Sequence, residues 1–175
     1  KIELYNDNYA NYKRYDIPCK AQLVIGDVPY QLGANAYGSN PMWYNGGDNK
    51  NGESKLAGQS FFRTDDIFKL PEFFNFCTRL LKKEPKSKGR TNPQAPAMIL
   101  FCAFQQAHMI EELGKRYGFM HSYPIFFIKK SSAQALKANM KIVGATEMAM
   151  VLYRDKLPKF NNVGFDGTRY MVLNW

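Results

Sequence analysis

The stretch that decides the fold is AQLVIGDVPY, residues 21–30, in which an apolar run leads directly into an Asp-Val-Pro-Tyr tetrapeptide. A short apolar run that ends in turn-forming residues predicts a buried strand followed by a tight turn. Apolar strands of this kind are typical of parallel sheets that are covered on both faces. The sequence therefore predicts that Asp27 lies at the carboxyl end of a buried strand.

Helices and further strands alternate along the rest of the chain. Apolar residues at helical spacing predict a helix over residues 65–83, which starts with acidic and ends with basic residues, as the helix dipole favours. A second helix is predicted over residues 105–117 and should end at Gly118. The other strands are predicted over residues 97–104, 119–129 and 147–153. This order of elements predicts an α/β sheet.

The tetrapeptide after the first strand offers a particular chemistry, because α/β sheets bind ligands at the carboxyl ends of their strands. The Asp27 carboxylate and the Val28 carbonyl form two neighbouring hydrogen-bond acceptors, and Pro29 restricts the turn that holds them. Tyr30 adds a flat aromatic face. Two fixed acceptors and an aromatic ring suit a flipped nucleobase that presents an exocyclic amino group. An ordinary strand-end turn capped by its Asp is the alternative interpretation.

The charge of the chain favours a polyanionic partner. Lys and Arg number 24 against 15 Asp and Glu, which gives a formal net charge of +9. Cationic surface releases counterions from nucleic acid on binding, although a basic surface can also be merely solvated. The candidate nucleic-acid contacts are Lys82, Lys83, Lys86, Lys88, Arg90, Lys129 and Lys130.

The three cysteines predict neither a zinc site nor a disulfide framework, because no CxxC or Cys/His pairing is present. Cys77 and Cys102 lie inside apolar runs, where cysteine behaves as a small hydrophobic residue. A reducing, cytoplasmic setting fits this pattern best. We expect no membrane span, since no apolar run approaches the roughly 20 residues that one needs.

Five segments together resemble a known family. LVIGDVPYQLG at residues 23–33 is similar to the strand and D-P-P-Y motif of the amino-methyltransferases that make N6-methyladenine or N4-methylcytosine in DNA. The other segments resemble, in order, those of the class that carries the catalytic motif first. They are IELYNDNYANYKRYDI (2–17), AMILFCAF (97–104), YGFMHSYPIFFIKK (117–130) and the Glu-led EMAMVLYR (147–154). Asp27, Pro29, Tyr30 and Lys129 match motif positions, and the rest matches in pattern only.

The resemblance implies a Rossmann-like α/β sheet of an S-adenosylmethionine (SAM)-dependent methyltransferase, with helices on both faces. Residues 1–175 would form the catalytic-motif half of one domain. Asp27 and the Val28 carbonyl would orient the amino group, Pro29 would set the turn and Tyr30 would stack on the base. SAM would be the cofactor, with Asp7 near it, and double-stranded DNA the partner; a homodimer is left open. Asp at the first motif position favours adenine over cytosine.

The sequence departs from the family pattern at two points. Val28 replaces the first proline of the motif, which keeps the carbonyl but makes the turn less rigid. The F-x-G-x-G segment that binds the cofactor in the family is not present, and in this class it follows all the segments seen here. We therefore expect the fold to be incomplete at its C-terminus. The alternatives are an inactive methyltransferase-like protein that binds nucleic acid or a partner, and the same chemistry on cytosine N4, an RNA adenine or a protein glutamine.

Overall fold

The computed structural model describes residues 2–15, 17, 20–30, 67–86, 94–132 and 144–159. The described strands are β1 (Leu23–Asp27), β2 (Ala97–Phe101), β3 (His121–Ile128) and β4 (Thr146–Tyr153). The described α-helices are α1 (Leu70–Leu80) and α2 (Ala107–Arg116). Two short 3-10 helices occupy Tyr9–Arg14 and Phe104–Gln106. The four strands and two α-helices predicted over residues 21–153 are present, and most are shorter than the sequence pattern suggested. The alternating polar and apolar residues at 1–5 also predict a short strand, and residues 2–5 form none.

The four strands form one mixed sheet in the order β1-β2-β4-β3. β1 runs parallel to β2, and β4 is antiparallel to both β2 and β3. Asp27 is the register partner of Phe101, which in turn pairs with Ala149 of β4. The carboxyl ends of β1 and β2 therefore meet the first half of β4. This arrangement confirms the α/β fold class.

The main core cluster lies on the face of the sheet where α1 and α2 pack side by side, and Ala149 and Val151 are buried on the other face of β4. The ring of Phe74 in α1 stacks on Tyr117, which follows α2, with 5.7 Å between ring centroids. The largest fully buried core residues are Phe74, Met98, Leu100, Ile110, Phe119 and Leu152. On the opposite face of β1, Leu23 and Ile25 remain 45% and 63% exposed. Among the described residues, β1 is thus covered on one face rather than on both.

Two glycines account for local features of the helix packing. Gly118 ends α2 as predicted, because its φ of +85° is a backbone conformation that side-chain-bearing residues rarely adopt. Gly26 lets α1 approach β1 closely: an added Cβ would come within 2.9 Å of the Phe73 ring. The close approach seats α1 directly behind the strand that ends in Asp27.

Cys77 and Cys102 are both buried, as their apolar context predicted. Burial raises the pKa of the Cys77 thiol to about 12 and that of Cys102 to about 11, so both stay protonated and unreactive at neutral pH. None of the helices in the described part of the chain is long and apolar enough to cross a membrane.

Candidate active site at the carboxyl edge of the sheet

The Asp27–Tyr30 tetrapeptide leaves the carboxyl end of β1 as predicted and is fastened to the neighbouring strand. The Val28 N–H donates to the Phe101 carbonyl at 3.2 Å, which extends the β1–β2 pairing by one bond. Val28 is 3% exposed as a residue and belongs to the core. An apolar side chain at this position therefore anchors the turn by burial. Asp27 and Tyr30 remain at the surface of the same edge.

Three strands bring their side chains together beside the tetrapeptide. The Tyr30 hydroxyl donates to Glu147 Oε2 at 3.2 Å, and the Lys129 ammonium pairs with Glu147 Oε1. Glu147 lies in β4, whereas Lys129 follows β3 and is held by its backbone N–H to the Ala145 carbonyl at 2.7 Å. The Lys129 and Glu147 side chains are 28% and 34% exposed, so their ion pair is partly shielded from water. Lys129 thus lies in the site itself.

The electrostatics of the site favour a neutral phenol beside a partly buried carboxyl. Burial raises the pKa of Tyr30, and the charges of Asp27 and Glu147 raise it further. Burial also raises the pKa of Asp27, with a smaller contribution from the Glu147 charge. Tyr30 therefore stays neutral, and its ring is available for stacking. Asp27 accepts a proton more readily than an ordinary aspartate.

The raised pKa of Asp27 predicts a pH-dependent stability. A carboxyl that binds its proton more tightly in the folded than in the unfolded state destabilises the fold when it is ionised. That destabilisation is complete above the folded pKa of Asp27 and disappears as pH falls towards the ordinary value of 3.8. We expect Asp27→Asn to raise the melting temperature at neutral pH by about 1–3 °C, because a partly exposed carboxyl contributes at most about 1 kcal/mol.

Thermal unfolding followed by circular dichroism at several pH values tests this expectation. The gain should shrink as pH falls, because the wild-type carboxyl is then protonated as well. Asp155→Asn removes the same charge at an exposed position and serves as the control. An equal gain at every pH would contradict the role given to ionisation.

Gln106 is a member of the site that the sequence did not reveal. It is 5% exposed, and its Oε1 accepts from the Ala103 N–H at 3.0 Å. Its Nε2 donates to the Pro29 carbonyl at 2.8 Å. The amide therefore joins the turn after β1 to the turn after β2. A single glutamine before an amphipathic helix carries no signal of this kind in the sequence.

Asp7 precedes the 3-10 helix Tyr9–Arg14, which packs on α1. Its carboxylate accepts from the Asn8 N–H at 2.7 Å, from Asn11 Nδ2 at 2.7 Å and from the Tyr15 hydroxyl at 2.6 Å. These bonds, that of Tyr15 above all, lower the pKa of Asp7. No hydrogen bond within the described part of the chain joins Asp7 to residues 27–30. Its place beside the cofactor stays a prediction.

The predicted basic contacts lie at two opposite ends of the strands of the sheet. The Lys82 N–H donates to the Ala21 carbonyl at 2.9 Å, which places residues 82–86 at the end of β1 opposite to Asp27. Lys82, Lys83 and Lys86 are exposed there. Lys130 is also exposed but follows Lys129 at the edge that carries Asp27. Lys88 and Arg90 lie outside the described residues.

Comparison with solved structures identifies proteins of the same fold. No protein-family model and no curated protein matches the chain. The crystal structure of an M1.HpyAVI–SAM complex matches with a TM-score of 0.58 at 15% sequence identity over 98% of this chain. A crystal structure of M1.HpyAVI matches with a TM-score of 0.50 at 14% identity over 94% of this chain. The chain spans 62% and 60% of those two chains. It therefore has the fold of the corresponding part of M1.HpyAVI.

Proposed function

We propose that the chain is the catalytic-motif half of a SAM-dependent DNA methyltransferase that acts on the N6 amino group of adenine. The observation that carries the proposal is the placement of the Asp27 carboxylate, the Val28 carbonyl and the Tyr30 ring at one carboxyl edge of the sheet. The match to the fold of M1.HpyAVI, one structure of which is a complex with SAM, supports it.

The described residues can orient an amino group for transfer. The amino hydrogens would be donated to the Asp27 carboxylate and the Val28 carbonyl, which directs the nitrogen lone pair out of the base plane. Tyr30 would stack on the flipped base and hold it in place. Positioning and electrostatics then lower the barrier, and no covalent bond between base and protein is needed.

The substitution of valine for the first motif proline is compatible with this role. The backbone carbonyl is the same atom in both residues. The Val28 N–H bond to Phe101 and the Gln106 bond to the Pro29 carbonyl restrain the turn from both sides. Burial of the Val28 side chain adds a third restraint. Packing and hydrogen bonds thus supply the rigidity that a second proline ring would give.

SAM, when bound, supplies an electrophilic methyl group on a sulfonium. Asp7 is the described residue that we propose holds it. The carboxylate is exposed, and its lowered pKa keeps it ionised, so it can accept hydrogen bonds from hydroxyl or ammonium groups. This acceptor chemistry fits the hydroxyl and ammonium groups of the cofactor.

Double-stranded DNA is the proposed partner, and the position of Lys130 makes its contribution testable. A phosphate contact at the Asp27 edge should contribute about one unit to the slope of log affinity against log salt. We expect Lys130→Ala to lower that slope by about one and Lys83→Ala, at the opposite edge, to lower it less. Fluorescence anisotropy of labelled duplex DNA over a range of salt concentrations measures both slopes. A larger effect of Lys83 would place the DNA on the other edge of the sheet.

Analysis of methylated nucleosides tests the proposed activity. The full-length gene product is incubated with unmethylated bacterial DNA and SAM, and the digested DNA is quantified by mass spectrometry. N6-methyladenine is the expected product. N4-methylcytosine would keep the mechanism and change the substrate. If a folded protein binds DNA and leaves no methylated base, the inactive binding protein becomes the better interpretation.

A further inference from the structure

The hydrogen-bond ladder between β1 and β2 ends with the bond from the Val28 N–H to the Phe101 carbonyl. In this parallel pair, the Ala97 N–H donates to the Gln22 carbonyl at 3.2 Å, and the Val28 N–H donates to the Phe101 carbonyl at 3.2 Å. Ala97 pairs with Leu23 in register, and Phe101 pairs with Asp27. Each of these two β2 residues thus bonds to a neighbour of its register partner, as alternate residues do in a parallel ladder. Continued by one step, the pattern would direct the Ala103 N–H to the Val28 carbonyl.

The Ala103 backbone is still extended, with φ −72° and ψ 153°, so its conformation does not account for the missing bond. Its N–H donates to Gln106 Oε1 at 3.0 Å instead. Gln106 thereby takes the place that the Val28 carbonyl would occupy in the ladder. No group among the described residues donates to the Val28 carbonyl.

The other end of the Gln106 amide acts on the same turn. Its Nε2 donates to the Pro29 carbonyl at 2.8 Å, next in the chain to the Val28 carbonyl. The glutamine is 5% exposed, so both bonds are shielded from competing water. The buried Gln106 side chain therefore accepts from the Ala103 N–H and also holds the Pro29 carbonyl in place.

We propose that Gln106 is a positioning residue that keeps the Val28 carbonyl free to accept the amino group of the target base. This inference rests on the proposed function, in which that carbonyl is one of the two acceptors. Without the Gln106 acceptor, the Ala103 N–H returns to the Val28 carbonyl and competes with the substrate. Loss of the Gln106 acceptor should therefore disturb the orientation of the amino group more than it weakens DNA binding.

Two substitutions of Gln106 separate this role from simple packing. Methionine fills a similar volume but offers neither the amide acceptor nor the donor, so we expect Gln106→Met to lower the single-turnover rate of methyl transfer about tenfold. Glutamate keeps an acceptor for the Ala103 N–H, so Gln106→Glu should retain more activity than Gln106→Met. DNA affinity should change by less than about twofold in both. Gln105→Met, at the exposed neighbouring position, is the matched control and should leave the rate unchanged.

The opposite order of rates would overturn the inference, because a packing role tolerates methionine better than a buried carboxylate. A loss of rate that is matched by a loss of DNA affinity would overturn it as well. If Gln106→Met does not fold, Gln106→Glu is compared with wild type instead. A methyl-transfer rate below one tenth of wild type in Gln106→Glu would then contradict the inference, because this variant keeps an acceptor for the Ala103 N–H.

A crystal structure of Gln106→Met separates the inference from the proposed function. The Ala103 nitrogen should lie within hydrogen-bond distance of the Val28 carbonyl oxygen in the variant, whether or not the protein methylates DNA. If wild type shows no methyl transfer but this bond forms, the proposed function fails while the structural role of Gln106 stands. An Ala103 N–H that still points elsewhere refutes the role of Gln106.

Discussion

Asp27→Ala is expected to lower the rate of methyl transfer by about 10²- to 10³-fold, because it removes one of the two acceptors proposed to orient the amino group. The carboxylate lies at the exposed edge of the sheet, so its loss leaves the core intact. Asp27→Asn keeps one acceptor oxygen at the same place and should lose less. Single-turnover assays with the full-length protein, SAM and unmethylated DNA give the rates.

Asp155→Ala provides the control, since it removes an exposed carboxylate beyond the end of β4. Its rate should equal that of wild type. Circular dichroism shows whether both variants keep the fold. Wild-type activity in a folded Asp27→Ala variant would remove Asp27 from the mechanism and leave the tetrapeptide as an ordinary turn.

The order of elements could be predicted from the sequence because each has a strong local pattern. The apolar run before Asp27 ends at turn-forming residues, and its strand covers Leu23–Asp27. The helix predicted to stop at Gly118 does so, because that glycine adopts a positive φ. These features depend on residues that are close together in the sequence, and the periodicity of apolar residues is a signal of this local kind.

The sheet order could not be predicted, because β4 inserts between β2 and β3 through contacts distant in sequence. Two local signals favour that order. Pro124 cannot donate to a ladder, which suits the position of β3 at the edge of the four described strands. The polar connection between β3 and β4 has no predicted helix, which suits antiparallel neighbours. Neither signal specifies which strand lies beside β4 on its other side.

The same distinction holds for the candidate site. Asp27–Tyr30 could be predicted because it is contiguous and follows a strand. Glu147 meets Tyr30 across 117 residues of sequence, and Gln106 meets Pro29 across 77. Lys129 was predicted both as a motif match and as a phosphate contact, and its ion pair with Glu147 places it beside Tyr30. Only the fold brings these side chains together.

Tyr30→Ala is expected to lower kcat/KM for DNA methylation by about 10- to 100-fold, because base–aromatic stacking contributes about 1–3 kcal/mol. Tyr30→Phe keeps the ring and removes only the hydroxyl bond to Glu147, which is 3.2 Å long. That bond should be worth about 0.5–1.5 kcal/mol, a roughly two- to tenfold effect. Steady-state methylation of the same DNA gives both values.

The ratio between the two variants decides what Tyr30 does. If stacking is its main role, kcat/KM of Tyr30→Phe stays well above that of Tyr30→Ala, since a phenylalanine ring offers the same face to the base. If the hydroxyl is more important, kcat/KM falls equally in the two variants. Glu147→Gln should then reproduce part of that loss, because it weakens the same hydrogen bond. Tyr123→Ala, whose ring is 44% exposed in the edge strand β3, controls for the loss of an aromatic side chain from the sheet. A Tyr30→Ala variant as active as this control would exclude a stacking role, and with it the aromatic half of the proposed base-binding site.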